Sequence, residues 1–237
     1  MLRKFSKESM GKSNLGWLES RFHFSFAEYR DYERVNFGVL RVLNDDIIHP
    51  QSGFGMHPHH DMEIVSYVVR GEITHKDSLG NEEALKRGEV QYMSAGSGVM
   101  HSEYNMQADE DLRLLQMWIL PPQKNLKTLY GSHAFSPQER QNTLLHIVSK
   151  QGGSAPIELY QDVNVYVSEL DEAQALRYEI AQNRQIYFVQ IEGTARINGV
   201  SLSDGDALEV TQERELIIEA TKRSHILFIE MANLYVS

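Results

Sequence analysis

Three histidines stand within four positions of the chain, and their spacing is its clearest chemical feature. His57 and His59 are two residues apart, so on an extended strand both side chains point to one face, while His60 points to the other. Pro58 favours this geometry, because the residue before a proline is biased toward an extended conformation. The segment therefore predicts two imidazoles that lie side by side.

His101 and Glu103 form a second pair of potential ligands, also two residues apart, just after a glycine-rich turn at residues 95–98. On a strand they too share a face, so three imidazoles and one carboxylate could converge inside a barrel. Two histidines on a strand more often mark a solvated face, but the second pair strengthens the interpretation as a metal site. The chain has no cysteine, so any metal site must use His, Asp or Glu.

Three neutral imidazoles and one carboxylate suit a borderline divalent ion, which could be iron, manganese, cobalt, nickel, copper or zinc. On an octahedral ion such a set leaves two positions for an organic substrate or dioxygen, whereas a structural zinc site would be closed and tetrahedral. The general affinity order favours nickel, copper and zinc over iron, so ligand type alone leaves the metal open. We expect one divalent ion per chain.

The charge of the chain excludes several partners. Its 237 residues include 33 acidic and 23 basic side chains, which argues against binding to nucleic acid or to an anionic membrane surface. The basic N-terminus lacks the apolar stretch of a signal peptide, and no apolar run approaches the roughly 20 residues that span a bilayer. These features predict a cytoplasmic protein, which we expect to be a monomer with a small-molecule substrate.

Strand patterns organise most of the chain. Short β-branched and aromatic runs alternate with turn residues, which is typical of an all-β barrel or sandwich. Pro121 and Pro122 stop the first series, because proline cannot donate to a ladder, and the polar stretch that follows has no sustained period. A second strand series then begins. We therefore predict a first domain over 1–122, a linker over 123–142 and a second domain over 143–237.

The two halves share a pattern that indicates an internal repeat. In each half an apolar strand ends just before a glycine, Gly71 or Gly193, and a hairpin follows. A second glycine, Gly88 or Gly205, then precedes an acidic residue and the next apolar strand. Aligned on these glycines, positions 57, 59, 101 and 103 correspond to Glu179, Ala181, Ile218 and Ala220. We expect the second half to keep the fold and to lack a metal site.

The ligand motifs carry a family resemblance. The spacings Gly55-x-His57-x-His59-x3-Glu63-x7-Gly71 and Gly88-x7-Gly96-x-Gly98-x2-His101-x3-Asn105 resemble the two cupin motifs. The segments HPHHDMEI at 57–64 and SAGSGVMHSEYN at 94–105 are similar to those of the pirin family, especially of bacterial pirin-like proteins described as quercetin 2,3-dioxygenases. The resemblance implies an all-β fold of two tandem cupin barrels.

For the site, the resemblance implies that His57, His59, His101 and Glu103 are the metal ligands and that the ion is Fe(II). Many cupins take a carboxylate ligand from the place of Glu63, but in pirin-like proteins Glu103 has that role. Glu63, which the alternation of side chains along an extended strand puts on the same face as His57 and His59, is therefore expected beside the ligands or in the substrate pocket. Glu103 is the candidate general base because it is anionic and next to the metal, although it could be a ligand that never handles a proton.

The implied activity is oxidative ring cleavage of a flavonol such as quercetin by dioxygen. The substrate would chelate the metal through its 3-hydroxyl and 4-carbonyl and lose the hydroxyl proton, whose acidity a divalent ion increases. Because a fold alone does not fix a reaction, two alternatives stay open. One is a non-catalytic, metal-dependent binding protein with a protein partner, and the other is a different metalloenzyme on the cupin scaffold.

Other side chains near the motifs are expected to be structural. His60 points away from the other imidazoles and should lie on the surface, while Asp61 should make a hydrogen bond to a ligand imidazole or to a turn. His75, near the end of a long strand, should lie at the barrel rim. Trp118 belongs to an apolar strand and is expected in the core rather than in a pocket wall.

Overall fold

The fold is built almost wholly from β-strands. The structure, a computed structural model, describes residues 1–233 and confirms the predicted all-β class. The helical segments in that range are two 3₁₀ turns, at Lys7–Ser9 and Pro137–Arg140, and no helix within it is long and apolar enough to cross a membrane. The predicted second domain runs to residue 237, so its last positions, 234–237, lie outside the described residues.

The strands of residues 1–233 alternate with short turns along the whole length. The first half contributes β1 (Leu2–Phe5), β2 (Gly11–Asn14), β3 (Leu18–Phe22), β4 (Leu40–Ile48), β5 (Ser52–His59), β6 (Glu63–Arg70), β7 (Glu72–Asp77), β8 (Glu82–Lys86), β9 (Val90–Ser94), β10 (Val99–Asn105), β11 (Leu112–Ile119) and β12 (Leu129–His133). The second half contributes β13 (Leu145–Lys150), β14 (Ile157–Leu159), β15 (Val163–Leu170), β16 (Ala175–Glu179), β17 (Arg184–Glu192), β18 (Thr194–Ile197), β19 (Val200–Ser203), β20 (Ala207–Val210), β21 (Glu215–Ala220) and β22 (Ser224–Ala232).

These strands form two compact units. The first barrel comprises Gly11–Phe135 with Leu159–Gln161, and its sheets have the strand orders β12-β9-β6-β11-β4-β3-β2 and β5-β10-β7-β8. The second barrel comprises Met1–Met10, Ser136–Glu158 and the chain from Asp162 onward, with the orders β1-β20-β17-β22-β15-β13-β14 and β16-β21-β18-β19. Strands β4 to β11 of the first barrel and β15 to β22 of the second occupy the same places in these orders, and only the edge strands differ, which supports the predicted internal repeat.

Matched glycines close equivalent hairpins in the two barrels. Gly71 follows β6 with a φ of 74°, and Gly193 follows β17 with a φ of 77°, a left-handed conformation that other residues rarely adopt. A Cβ on Gly71 would lie 2.6 Å from the carbonyl oxygen of Asp111, and one on Gly193 would collide with the carbonyl oxygen of Arg223. Both positions need glycine for the same two reasons, as expected if one module is repeated.

The barrels do not follow the predicted domain boundaries. Strand β1 pairs with β20, with Leu2 opposite Val210, so residues 1–10 belong to the second barrel and not to the predicted first domain over 1–122. Strand β12, inside the predicted linker over 123–142, pairs with β9 of the first barrel. Each of these strands covers a sheet edge whose backbone donors and acceptors would otherwise be unpaired.

The interiors of the two barrels differ. One apolar cluster fills the second barrel and includes the fully buried Phe188 and Phe228. The first barrel holds two separate apolar clusters, one that contains Leu114 and one against which Trp118 packs, and other buried apolar residues such as Leu115 and Met117 belong to neither. Side chains on one face of a strand recur every two residues, so Gln116 of β11 lies between Leu114 and Trp118 on the same face. A polar layer therefore separates the two clusters.

Candidate metal centre

Strands β5 and β10 position the three predicted imidazoles. The strands are antiparallel, and their pairing puts His57 directly opposite His101. The register shifts between His101 and Glu103, so β5 carries an extra residue at positions 55 and 56, just before His57. A bulge of this kind increases the local twist of a strand and redirects its side chains, and it often lies next to a functional site.

The rings of His57, His59 and His101 form a compact triangle. Their centroids are 4.8 Å apart for His57 and His59, 4.5 Å for His57 and His101, and 4.8 Å for His59 and His101. The Nε2 atoms of His57 and His101 are 3.1 Å apart. His101 is buried, whereas His57 and His59 are partly exposed, so a small molecule can reach the cluster from solvent.

Burial keeps two of the three imidazoles neutral. It lowers the pKa of His59 to about 4 and the pKa of His101 to about 2, and the neighbouring His57 adds to both shifts. Nδ1 of His57 lies 2.7 Å from the carbonyl oxygen of Gly55, a contact in which Nδ1 donates and Nε2 keeps its lone pair. At neutral pH the cluster therefore offers nitrogen lone pairs.

This donor set fits a divalent ion. Metal–nitrogen bonds of about 2.0–2.1 Å bring adjacent ligand nitrogens to roughly 3 Å from one another. The 3.1 Å between the two Nε2 atoms matches that requirement. Candidate ligand atoms of the three histidines all lie within 4.8 Å of one another. A second group found in residues 1–233, His75 with His101 and Glu103, shares His101, so the two groups form one cluster.

Glu103 lies beside His101 and is only 2% exposed. Nε2 of Gln91 and Oγ of Ser66 donate hydrogen bonds to its Oε1, at 2.8 Å and 3.3 Å, and Nε2 of Gln116 donates to its Oε2 at 2.7 Å. Burial raises the pKa of the Glu103 carboxyl, and the hydrogen bond from Gln116 opposes part of that shift. The carboxylate is therefore fixed in place and holds a proton more readily than an exposed Glu does.

Gln116 connects Glu103 to the wall of the site. Its Oε1 accepts a hydrogen bond from Nε1 of Trp118 at 3.1 Å, while its Nε2 donates to Glu103. The Trp118 ring lies edge-on to His59, with centroids 4.9 Å apart. Trp118 is expected in the core, and it does pack against the apolar cluster that contains Ile64, but it is partly exposed and lines a cavity because its ring also borders His59.

Comparison with known proteins identifies the family. The pirin profile matches residues 4–119, and the profile described as the quercetinase C-terminal cupin domain matches residues 146–231. A quercetin 2,3-dioxygenase of Escherichia coli K12 is 37% identical over 230 residues, which are 97% of this chain and 97% of that protein. The chain belongs to the pirin family.

Further relatives agree with this assignment. A pirin-like protein of Caulobacter vibrioides is 36% identical over 95% of this chain and 97% of its own length. The crystal structure of the bacterial pirin YhhW from Escherichia coli, in complex with nickel(II), matches with a TM-score of 0.93 at 35% identity. The match covers 99% of this chain and 100% of that one. The predicted resemblance is confirmed, and so are the two tandem cupin barrels.

His75 of this pirin is part of the cluster, so the expectation that it lies at the barrel rim is wrong. The side chain is fully buried, stands opposite Glu103 in the pairing of β7 with β10, and stacks on Tyr130 with ring centroids 4.7 Å apart. Its Nε2 lies 3.3 Å from Oδ2 of Asp77. The depth of His75 was not predictable from its place in the strand, because Tyr130, which covers its ring, comes from β12 in the predicted linker.

Glu63 of this pirin does not join the cluster, which corrects the expectation that it lies beside the ligands or in the pocket. Its Oε1 accepts hydrogen bonds from the Tyr92 hydroxyl at 2.8 Å and from the backbone N–H of Tyr160 at 2.7 Å. Its Oε2 accepts one from the backbone N–H of Gln161 at 2.9 Å. The parity argument fails because Asp61, with a φ of 49°, interrupts the extended chain, and Glu63 starts β6 in the other sheet.

Asp61 and His60 agree with their predicted roles. The Asp61 carboxylate accepts a hydrogen bond from the backbone N–H of Asn125 at 2.6 Å, which is one of the two kinds of contact expected for it. The His60 side chain is 61% exposed and contacts the Asp61 carboxylate at 3.2 Å. Neither residue belongs to the groups of potential metal ligands.

The second barrel of this pirin has apolar residues at the positions that match Glu103 and His75. Ile218 stands opposite Ile197 in the same way that Glu103 stands opposite His75, so Ile218 is the counterpart of Glu103. The sequence alignment assigned that place to Ala220, two residues further on. The difference arises because the stretch from the hairpin glycine to this position is two residues shorter in the second barrel, running from 205 to 218 instead of from 88 to 103.

Three side chains that hold Glu103 were not predicted. Gln91, Gln116 and Ser66 lie in strands that otherwise read as apolar runs, and their polarity within such runs was the available sign. A glutamine inside LRLLQMWIL, for example, faces a core only if it has a polar partner there. Strand register was needed to see that Gln116 pairs with Ser66 and that Ser66 pairs with Gln91.

Proposed function

We propose that this pirin is a metal-dependent dioxygenase that cleaves a ring of a flavonol such as quercetin with dioxygen. The observation that carries the proposal is the convergence of three histidine rings with the buried carboxylate of Glu103 inside one barrel. The 37% identity with a quercetin 2,3-dioxygenase of Escherichia coli, over nearly the whole of both chains, supports the reaction and the substrate class.

His57, His59, His101 and Glu103 would hold one divalent ion. We propose Fe(II) as the native metal, and zinc, nickel, copper, cobalt and manganese are compatible with the same ligand types. The nickel(II) complex of YhhW supports a site with this breadth. When bound, the ion would acidify the enol hydroxyl of a flavonol and orient it for reaction with dioxygen.

Glu103 is the proposed acceptor of the enol proton. Burial raises the pKa of the metal-free Glu103 carboxyl, which favours proton uptake, whereas a bound divalent ion would act in the opposite direction. The donors Gln91, Ser66 and Gln116 keep the carboxylate from rotating.

Oxygen uptake with quercetin tests the proposal. The chain is stripped with a chelator, reloaded with Fe(II), and should consume oxygen only when both metal and quercetin are present. His101→Ala should lose the metal and the uptake together, because it removes a buried ligand. The matched control His60→Ala should keep both, since its side chain is exposed and outside the cluster.

Identification of the product completes this test. A ring-opened product that contains both atoms of labelled dioxygen would support the dioxygenase assignment against another cupin reaction. A fully metal-loaded chain that consumes no oxygen with quercetin would contradict the proposal and would favour the metal-dependent binding protein instead.

A further inference from the structure

A surface cavity of about 610 Å³ lies next to the imidazole cluster. Its volume falls within the roughly 300–1,000 Å³ of sites that bind small organic molecules. Phe26, Met62 and Trp118 supply apolar surface to its wall, and Arg30 and Arg41 supply positive charge. All of its lining residues belong to the first barrel.

The cavity and the metal-ligand cluster share a wall. Trp118 lines the cavity and also lies edge-on to His59, with ring centroids 4.9 Å apart. Phe26 also packs edge-on against this indole, with ring centroids 5.3 Å apart. The cavity therefore lies one side chain away from His59, with Trp118 in contact with both.

Both arginine side chains are held by hydrogen bonds to backbone carbonyl oxygens. Arg41 donates hydrogen bonds from Nη1 to the carbonyl oxygens of Ser25 at 2.9 Å and Val35 at 3.1 Å, which fixes the side chain in the cavity wall. Arg30 donates from Nη1 to the carbonyl oxygen of Tyr29 at 3.1 Å. A guanidinium carries five N–H donors, so each keeps several for a ligand.

These cations have no acidic partner in the cavity. Within residues 1–233, neither Arg30 nor Arg41 makes an ion pair, and none of the side chains that line the cavity is acidic. The chain as a whole has a net charge of -10, so a cavity wall with two cations and no acidic side chain is unusual for this protein. Planar guanidinium groups bind carboxylate and sulfonate oxygens in pairs and stack on aromatic rings.

We infer that this cavity selects aromatic enols that carry an anionic substituent, with Arg30 and Arg41 as the residues that bind the anion. The inference rests on the proposed function, from which it takes the position of the enol at the metal. It adds the class of substrate, an enol with an anionic substituent. Trp118 and Phe26 would hold the flat ring, and the anionic group would lie on the side of the ring that faces away from His59.

Binding of quercetin and quercetin-5′-sulfonate to the iron-loaded chain tests the inference. Calorimetry without oxygen measures the two dissociation constants while turnover is blocked. The wild-type chain should bind the sulfonate at least about fivefold more tightly, in keeping with partly exposed charge pairs. In 0.5 M NaCl the preference should shrink toward one, because salt screens partly exposed charges.

Two variants and one control assign the preference to the cavity. In the double variant Arg30→Gln with Arg41→Gln the ratio of the two dissociation constants should fall to about one. Arg30→Gln alone, at an exposed position, should remove part of the preference and does not depend on the fold tolerating a change at Arg41. Arg196→Gln, which removes an exposed arginine of the second barrel, should leave the ratio as in the wild type.

The outcomes separate this inference from the proposed function. Equal binding of the two compounds by the wild-type chain, or a preference that survives the double variant, would overturn the inference. Oxygen uptake with quercetin in that case would leave the dioxygenase proposal intact. A sulfonate preference that depends on Arg30 and Arg41 supports the inference even if the loaded chain consumes no oxygen.

Discussion

The two barrels share one topology and differ in the layer that crosses their middle. In the second barrel this layer is apolar, and the residues that stand side by side on β20, β17 and β22 are Leu208, Phe188 and Phe228. In the first barrel, aligned through the matched hairpin glycines, the row on β9, β6 and β11 is Gln91, Ser66 and Gln116. Three apolar side chains of the second barrel therefore correspond to three hydrogen-bond donors in the first barrel.

The opposite sheet changes in the same way. Ile218 and Ile197 of the second barrel are fully buried, and their counterparts in the first barrel are Glu103 and His75. A buried carboxylate without partners is strongly destabilising, so Glu103 requires the donors of the facing sheet. The candidate centre is therefore a whole layer of the barrel, because the four candidate ligands also need the hydrogen-bond donors of the facing sheet.

The largest effect is expected from Glu103→Gln in the first barrel. The variant keeps the shape of the side chain but removes its negative charge and its ability to accept a proton at neutral pH. Turnover of quercetin, measured as oxygen uptake at saturating metal, should fall by roughly 100- to 10,000-fold. Recovery of the wild-type rate at saturating metal would show that Glu103 only holds the ion.

Ile218→Glu should have the next largest effect, because it places a carboxylate where the second barrel has no donors. The free energy of unfolding, measured in urea on the apo chain, should fall by about 3–5 kcal/mol. Ile218→Val is the matched control and should cost about 0.5–1.5 kcal/mol. If the glutamate were tolerated at no greater cost than the valine, the donor layer would not be what stabilises Glu103.

Gln116→Leu should have a smaller effect, because it removes one of the donors to Glu103. Its hydrogen bond lowers the pKa of Glu103, so the pKa should rise further and the acid limb of the rate profile should move to higher pH. The rate at neutral pH should fall by roughly 10- to 160-fold, in line with about 1.5–3 kcal/mol for a hydrogen bond to a charged group.

Gln185→Leu serves as the control for Gln116→Leu. Gln185 is a buried glutamine of the second barrel, and its Nε2 donates to the carbonyl oxygen of Ala232 at 3.3 Å. The pH profile of this variant should match that of the wild type. An unchanged profile in Gln116→Leu would mean that Gln116 does not tune Glu103.

The smallest effect concerns Asp46, a buried carboxyl of the first barrel. Burial, with added repulsion from Asp45 and Glu103, raises its pKa to about 7 from 3.8. Between about pH 4 and 7 the folded chain therefore holds a proton that the unfolded chain has released, so stability falls as the pH rises through this window. Relative to Asp46→Asn, the wild-type apo chain should lose roughly 1–4 kcal/mol of unfolding free energy across it.

Urea unfolding at several pH values measures this difference, and Asp109→Asn, an exposed position of the same barrel, is the control. The control should show the same pH dependence as the wild type. A constant gap between wild type and Asp46→Asn from pH 4 to 7 would contradict a protonated Asp46 in the folded chain.

Local patterns were enough to predict much of the first barrel. Strand alternation indicated that His57, His59 and His101 would meet, and the structure brings their rings within 4.8 Å of one another. The same argument failed at Glu63, because the left-handed turn at Asp61 changes the sheet in which the chain continues. The alternation of side chains between two faces predicts the face of a residue only while the chain stays extended.

The pairing of strands that lie far apart in the sequence could not be predicted. The partner of β1 lies about 200 residues away, and β12 occupies a polar stretch with no strand period of its own. Both complete sheets whose other strands were predictable from local patterns. His75 was misjudged for the same reason, because the ring that covers it, Tyr130, comes from β12.

The presence of a single metal centre in the first barrel is tested most simply by the metal content of the reconstituted chain and of its histidine variants. We predict one ion per chain in the wild type after removal of loosely bound metal. His57→Ala, His59→Ala and His101→Ala should each retain almost none, and His60→Ala should retain one. Two ions in the wild type, or a loss of metal in His60→Ala as severe as in the other three, would contradict a single centre on the shared face of β5 and β10.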